Sequence, residues 1–455
     1  MNIGAGGRVE VTSRRFLAIA LPATLAQMTT PLLGLVATGA IGRLGDAVLL
    51  GAVAVGALLF DFTFWIFGSL RMGTAGLTAQ ALGRGEVVEL RAVLVRALII
   101  AAAIGLVLIA LQFPIGHAAF SLMGASEGVH AAAALYFSIR IFSAPFAIAN
   151  FALLGWFVGV ARTDIGLGLQ FLIAAVNALA TAALVLHWDF GVAGAALANV
   201  LAETAGTLAG LVAAARLVGR DWRVPWRAVL DRARLVETVA VNSDIMVRTG
   251  LLMAVLMFFT TQGARTGDVT LAANAVLYNM VMVSAFFLDG FATAAEQVCG
   301  QSIGARDRPG FRRAVRLTLA WGFGFAAPAT LAMLLGGGAL IDLLTANGQV
   351  RLVGREFLPL AALTPLIGVA AFAYDGIYAG SAWARDMRNM MLPAVVLFFA
   401  VWWFAQPLGN GGLWFAYLAF MGGRGLFLAW RMPALERRSF PGPAPAGPLS
   451  PQPGS

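Results

Sequence analysis

The chain has 455 residues, of which 60% are hydrophobic and 12% are charged. Soluble domains carry about 25% charged residues, so this composition excludes a soluble globular protein and indicates an all-α polytopic membrane protein. The net charge of +9 comes from arginines that cluster in short gaps between apolar runs. That pattern is typical of membrane topology, and it argues against a nucleic-acid-binding face.

Twelve apolar runs are each long enough to cross a hydrocarbon core of about 30 Å as a helix. The runs of the first half cover 15–42, 48–70, 92–116, 132–157, 165–187 and 191–215. The runs of the second half cover 235–262, 270–302, 314–341, 357–381, 390–407 and 410–431. Because these runs are continuous rather than alternating, they predict transmembrane helices and not a transmembrane β-barrel.

Arginines are concentrated in every second gap between the predicted spans. The polar stretch 216–234 carries six of them, whereas the gap after the first span carries only Arg43. The positive-inside rule therefore predicts that both termini lie in the cytoplasm, which twelve spans satisfy.

The two halves of the sequence repeat each other. Three anchors recur at nearly one offset: Arg43-Leu44-Gly45-Asp46 as Arg265-Thr266-Gly267-Asp268, Gln80-Ala81-Leu82-Gly83 as Gln301-Ser302-Ile303-Gly304, and Gly155 and Gly159 as Gly376 and Gly380. Because each half has an even number of spans, the repeats predict two six-helix bundles related by a pseudo-two-fold axis along the membrane normal. Such repeats usually enclose a central site that opens to alternate sides.

This symmetry and the polar stretches predict the domain organisation. We expect an N-terminal bundle at 1–220, a cytoplasmic linker at 221–234 and a C-terminal bundle at 235–438. The Pro-rich tail 439–455 is predicted to be disordered.

Four stretches resemble the multidrug and toxic compound extrusion (MATE) transporters, in the DinF-like branch. They read LPATLAQMTTPLLGLVATGAIG, RMGTAGLTAQALGRGE, FFTTQGARTGDVTLAANAVLYNMVMVSAFFLDGFATAAEQVCGQSIGAR and YDGIYAGSAWARDMRN. The resemblance covers roughly residues 15–432. It implies two bundles that form a V, a location in a bacterial inner membrane, and outward-directed antiport coupled to H⁺ or Na⁺.

Two positions depart from the family pattern that the resemblance implies. The family's first helix normally carries an acid where this chain has Ala37, in PLLGLVAT. The fifth helix normally carries N-x-x-x-D, and here Thr181 takes the place of that aspartate. Since alanine neither binds a proton nor coordinates Na⁺, the family's usual N-half coupling mechanism is not carried over to this chain.

Asp289 and Glu296 are two carboxylates within one apolar run of the second half. Their seven-residue spacing places both on one helix face, with Glu296 about 10 Å nearer the cytoplasm. An ionisable group at this depth normally faces a bundle interior or a watery cavity. Both are therefore candidates for ion coupling, with Asp289 first, and the alternative is a protonated acid that hydrogen-bonds a neighbouring helix.

Three further intramembrane acids are coupling candidates. Asp375 lies in AYDGIYAG and Glu203 in LANVLAETAG, and each suits either coupling or interhelical contact. Asp61, in LLFDFTFWIFG, is a possible compensating site in the half that lacks the family's acids. Asp244 has Arg248 four residues later, and this spacing predicts an ion pair on one helix face.

Amide side chains within the apolar runs are candidates for helix cross-links or for the substrate cavity. The cavity candidates are Gln27, Asn150, Asn177, Asn274 and Asn279.

We interpret the chain as an H⁺-coupled exporter of a small organic, cationic or amphipathic compound, with Na⁺ as the other candidate ion. Two alternatives stay open. One is an uncoupled facilitator, which Ala37 and Thr181 favour, and the other is a lipid-precursor flippase of the related superfamily, which would favour an arginine-lined cavity. No HExxH, GxSxG or Walker A motif occurs, so an enzyme is not indicated. We expect a monomer in the lipid bilayer, with no cofactor, no metal and no nucleic-acid partner.

Overall fold

The computed structural model describes residues 9–42, 53, 56–57, 60, 64–121, 127–219 and 224–441, and their side chains except at 29–42 and 118–129. These residues fold into helices joined by short turns, and none of the described residues forms a strand. Residues 221–223 of the predicted linker and the predicted tail from 442 onward lie outside this set.

The first half contains eight described helices. They are α1 Ser13–Gly42, α2 Ser69–Arg84, α3 Val87–Ala110, α4 Gln112–Ser121, α5 Glu127–Arg140, α6 Ala144–Gly159, α7 Thr163–Thr181 and α8 Gly191–Val218. Short helical turns of other pitch precede α2 at Ile66–Gly68, join α5 to α6 at Ile141–Ser143, and extend α7 through Ala182–His187.

The second half is built from longer helices. After the short α9 Trp226–Val229 come α10 Arg232–Arg265, α11 Asp268–Gly304, α12 Arg308–Leu344, α13 Gly348–Gly380, α14 Ala384–Ala405 and α15 Asn410–Ser439. A single turn at Gln406–Leu408 joins α14 to α15.

Ten helical segments of the described chain are long and apolar enough to cross a membrane. They coincide with the last ten of the twelve predicted spans. The first predicted span is α1, and the structure describes only part of the second, 48–70. Predicted ends were less accurate, because polar ends continue the helices beyond the apolar runs; α15, for example, extends to Ser439 rather than to 431.

Several helix ends have side chains that satisfy the free backbone N–H groups. Asp307 accepts a hydrogen bond from the Gly310 N–H at 3.0 Å at the start of α12. Asn347 caps α13 by accepting from the Gln349 N–H at 2.9 Å. Such caps stabilise a helix start by about 1 kcal/mol, which explains why these helices begin before their apolar runs.

The halves are bonded together at one end of the molecule, which we call the closed end. It is the end at which α1 begins and α2, α6, α11 and α13 terminate. The Val9 N–H donates to Asp307 Oδ2 at 2.8 Å, Arg15 Nη2 donates to Gln301 Oε1 at 2.5 Å, and Gln80 Nε2 donates to the Gly380 carbonyl at 3.0 Å.

An apolar core reinforces the closed end. Val11 and Phe16, from the start of the first half, are buried in a cluster formed by α11, α12, α13 and α15 of the second half. Phe16 stacks on Phe291 with 6.3 Å between ring centroids. Val11 and Phe16 are therefore packed as part of the opposite half.

Close helix contacts at the closed end follow the sequence repeat. A Cβ added to Gly83 would lie 2.1 Å from the Gln301 carbonyl oxygen, and one added to Gly304 would lie 2.1 Å from the Gln80 carbonyl oxygen. Gly83 and Gln80 are the repeat equivalents of Gly304 and Gln301. The two halves thus exchange equivalent backbone contacts, as a pseudo-two-fold axis requires.

Candidate functional site

Two acids on α11 contact the opposite half. Asp289 accepts a hydrogen bond from Gln27 Nε2 on α1. Glu296, two helical turns nearer the closed end, is 1% exposed, and its Oε2 lies 3.5 Å from Arg71 Nη1 on α2. The seven-residue spacing therefore puts both carboxylates where the first half packs against α11.

The third acid, Asp375 on α13, is held within the second half. Its Oδ2 accepts from Arg424 Nη2 on α15 at 2.5 Å and also from Arg248 Nη2 on α10. All three side chains are buried, and Met387, Met391 and other apolar groups surround them. Buried charges persist only when they are paired and hydrogen-bonded, so these three residues form one unit.

The two groups of charges lie within electrostatic range of each other and form what we call the charge network. It consists of Asp289, Glu296, Asp375, Arg71, Arg248 and Arg424. With every group ionised, three acids balance three arginines. The balance is uneven locally, since the unit around Asp375 carries one excess positive charge and the Asp289, Glu296 and Arg71 group carries one excess negative charge.

The first half has a separate polar cluster around Glu203 on α8. Asn150 Nδ2 on α6 donates to Glu203 Oε2 at 2.6 Å, and Thr207 Oγ1 donates to Asn150 Oδ1 at 3.1 Å. Arg140 lies close enough to act on Glu203 electrostatically, while its guanidinium sits 4.7 Å from the Phe60 ring centroid. The structure therefore separates Glu203 from Asp289, Glu296 and Asp375 and joins it to the cavity candidate Asn150.

The remaining candidates are dispersed. Asn177 is buried on α7, and Thr181 lies one turn later with a buried hydroxyl that has no hydrogen-bond partner among the described residues. Asn279 is exposed on α11. Ala37 is on α1, but its side chain is outside the described set, and Asp61 lies outside the described residues altogether.

Asn274 is bonded inside the second half, where it links α11 to α15. It exchanges two amide hydrogen bonds with Asn410, at 2.7 and 3.0 Å, and its Oδ1 also accepts from Trp414 Nε1 at 2.9 Å. All three polar groups are buried, so this cluster acts as an interhelical cross-link in this conformation.

Replacing Asn274 with alanine is therefore expected to lower the free energy of unfolding by about 1–2 kcal/mol, because it removes three interhelical hydrogen bonds and such bonds average about 0.6 kcal/mol each in membrane proteins. Thermal unfolding in detergent measures the change. The control is Asn279→Ala on the same helix, whose exposed side chain should change stability by less than about 0.5 kcal/mol. Equal losses for the two variants would contradict a cross-linking role for Asn274.

The predicted ion pair between Asp244 and Arg248 is wrong. Arg248 turns to the buried Asp375 instead, and Asp244 binds Arg388 Nη1 at 2.6 Å. The spacing rule considers one helix alone. A carboxylate buried between helices has a greater need for a cation than an acid at a partly exposed position, so the tertiary partner prevails.

Sequence reasoning did not single out Arg71 and Arg424. Arg71 falls just after the predicted end of the second span, and Arg424 lies inside the last one. The available signal was that each intramembrane acid requires a buried cationic partner. The repeat offers a second signal. At the 221-residue offset, Arg424 and Arg248 are the equivalents of Glu203 and Gln27, two residues that the sequence had already made site candidates.

Comparisons with known proteins agree on one family. A family model described as MatE matches residues 22–183 and 245–404, one stretch in each half. The chain is 37% identical to the DNA damage-inducible protein F of Escherichia coli, over 91% of both chains. It is 26% identical to a probable multidrug resistance protein NorM of Rhizobium meliloti, over 89% of both chains.

Solved structures share the fold. The crystal structure of an aspartate-to-asparagine mutant of the Vibrio cholerae MATE transporter VcmN superimposes with a TM-score of 0.83 at 19% identity, covering 94% of this chain and 97% of that one. Together with the match of the family model to each half, this confirms the predicted architecture of two six-helix bundles related by a pseudo-two-fold axis.

Proposed function

This chain belongs to the MatE family of multi-pass membrane transporters, and from that premise we propose that it is an H⁺-coupled antiporter that exports small organic compounds. The substrate is cationic or amphipathic, and export proceeds by alternating access as a monomer in a bacterial inner membrane. Members of this family are transporters and not enzymes. Both termini face the cytoplasm in this proposal, so the closed end shuts the cytoplasmic side.

The hydrogen bond between Gln27 and Asp289 is the observation that carries the proposal. It joins a titratable carboxylate of one half to a side chain of the other. Beside it, a Cβ on Gly290 would collide with the Thr24 side chain of α1 at 1.9 Å, so the helices are in close contact at this acid. A change in the protonation of Asp289 therefore acts directly on the contact between the halves.

The other acids have supporting parts in this proposal. Glu296 is the second coupling group of α11, Asp375 maintains the charge balance of the network, and Glu203 with Asn150 forms the polar centre of the first half. The moving bodies are the bundles 1–220 and 235–438, with 221–234 between them. Gln27, Asn150, Asn177, Asn274 and Asn279 remain candidates for the cavity.

The donors around the acids favour H⁺ over Na⁺ as the coupling ion. Asp289 receives an N–H group from Gln27, and Asp375 Oδ2 receives two guanidinium groups. A bound Na⁺ needs several oxygens that converge on it, whereas these oxygens already accept from nitrogen donors. A proton needs only one carboxylate oxygen.

An uncoupled facilitator is the second candidate, because Ala37 and Thr181 stand where the family normally has acids. Such a protein would export the same compounds without using an ion gradient. The arginines give a flippase of lipid precursors less support, because Arg71, Arg248 and Arg424 are each paired with an acid of the network.

Replacing Asp289 with asparagine is expected to abolish transport that is driven by a pH gradient, because asparagine keeps the contact with Gln27 but takes up no proton. The measurement follows the fluorescent cation ethidium in liposomes containing the purified protein, with a pH gradient or a Na⁺ gradient imposed separately. Wild-type protein should respond to the pH gradient.

Asp268→Asn is the matched control, because Asp268 is an exposed acid in the first turn of the same helix. It should transport like wild type. Transport that is equally fast without any gradient, and that is unchanged in Asp289→Asn, would contradict coupling and support the facilitator.

A further inference from the structure

The ion pair between Arg71 and Glu296 is an exception within the contact between the halves at the closed end. Around it, α2, α6, α11 and α13 approach through glycines, and three pairs of these contacts follow the repeat: those of Gly83 and Gly304, of Gly155 and Gly376, and of Gly159 and Gly380. The pair does not, because the repeat equivalents of Glu296 and Arg71 are Ala75 and Ala292. The ion pair therefore occurs at only one of the two positions that the repeat makes equivalent, and two alanines occupy the other.

Each partner of this pair is fixed to its own half through the backbone. A Cβ on Gly155 would lie 2.2 Å from the Arg71 carbonyl oxygen, which fastens α2 to α6 in the first half. A Cβ on Gly380 would lie 2.2 Å from the Glu296 carbonyl oxygen, which fastens α11 to α13 in the second half. The bridge therefore breaks when the halves separate at the closed end.

The charges that face Glu296 come from four helices. They are Arg71 on α2, Asp289 on α11, Asp375 on α13 and Arg248 on α10. Asp375 already binds Arg248 and Arg424, so these three groups are occupied with one another. Arg71 is the remaining cation of the network, and it acts electrostatically on both Glu296 and Asp289.

We propose that Arg71 is a positioning residue that acts as a tethered cation, holding the closed end shut through Glu296 until a proton takes its place on that carboxylate. This inference rests on the proposed function and specifies how the proton acts. The proton comes from water on the open side and binds a Glu296 oxygen. Protonation breaks the ion pair between Arg71 and Glu296 and no covalent bond. The Arg71 guanidinium keeps its charge and stays close to Asp289.

The test measures the opening of the closed end directly. Spin labels are attached to the variants Val88→Cys and Arg313→Cys. Both positions are exposed at the closed end, one in each half. Pulsed electron paramagnetic resonance then measures the distance between the two labels in nanodiscs. The natural Cys299 is buried, so it does not take up label. All samples carry Asp289→Asn, so that Glu296 is the titrating acid of α11.

Lowering the pH from about 8 to about 5.5 should raise the ratio of long to short separations by about tenfold or more, because one proton taken up on opening shifts the ratio up to about tenfold per pH unit. Glu296→Gln should show the long separation at both pH values. Arg71→Lys should keep the parental direction of the pH response. Arg71→Gln should reverse this direction, because its closed state buries Glu296 without a cationic partner, so that protonation of Glu296 now stabilises the closed state.

The reversal distinguishes a tethered cation from a merely structural arginine, which would not change the direction of the pH response. Asp164→Asn is the control, because it removes an exposed ion pair with Arg162 inside one half, and it should behave as the parent does. A parental direction in Arg71→Gln, or a parental distribution in Glu296→Gln, would overturn the inference. If Arg71→Gln does not fold, Glu296→Gln and Arg71→Lys still decide.

The transport assay keeps this inference separate from the proposed function. If a pH gradient drives ethidium transport but the label separations ignore Glu296 and Arg71, the tethered cation is wrong and the antiporter stands. If the separations follow the prediction but no gradient drives transport, the proposed coupling fails while the lock at the closed end remains.

Discussion

Asp375→Asn is expected to lower the free energy of unfolding by about 3–5 kcal/mol, because it leaves two buried guanidiniums without their shared carboxylate. Arg248 and Arg424 are 7% and 4% exposed, and both donate to Asp375 Oδ2. Asparagine offers a carbonyl oxygen of similar shape but no negative charge. Thermal unfolding in detergent measures the loss.

Two further variants separate lost charge from lost contact. Asp386→Asn removes an ion pair with Arg431 at 2.7 Å, but both side chains are partly exposed, so the loss should stay below about 1 kcal/mol. Adding Arg424→Gln to Asp375→Asn should recover part of the stability, since it removes one unpaired cation. If the double variant is as unstable as the sum of the two single ones, the charge argument is wrong.

The same charge unit shows where sequence reasoning succeeds and where it stops. Asp375, Asp289 and Glu296 could be identified as buried acids from the apolar runs around them. Their partners could not, because a cation can come from any neighbouring helix, and Arg71 and Arg424 come from helices distant in sequence. For Asp244, spacing suggested a neighbour on its own helix, and the partner is Arg388 on α14.

The fold was predicted more fully than the site. Hydropathy located the transmembrane helices, since their length is set by the bilayer, but it misplaced ends that caps such as Asp307 and Asn347 determine. The repeat established that Gly83 and Gly304 are equivalent. The repeat did not predict that Gly83 packs against Gln301 or that Gly304 packs against Gln80. A constant offset shows which residues are equivalent, but it carries no information about which residues are in contact.

That exchanged contact leads to the second large effect. Gly83→Ala and Gly304→Ala should each destabilise the closed end by about 1–3 kcal/mol, because the new Cβ would lie 2.1 Å from a backbone carbonyl oxygen that cannot rotate away. The halves would have to separate by more than about 1 Å to restore ordinary van der Waals contact. The short label separation at the closed end should become rare, and ethidium transport should fall about tenfold or more.

The pseudo-two-fold axis also requires the two glycine substitutions to have similar effects. Because Gly83 meets Gln301 as Gly304 meets Gln80, the two substitutions should have similar effects, although they lie in different halves. Gly324→Ala and Gly336→Ala on α12 are the controls, since no atom of the described residues lies within 4 Å of their added methyl groups, and both should transport like wild type. Unequal effects at Gly83 and Gly304 would mean that the halves do not share the closed end equally, and normal transport in both would mean that the cycle does not depend on this close approach.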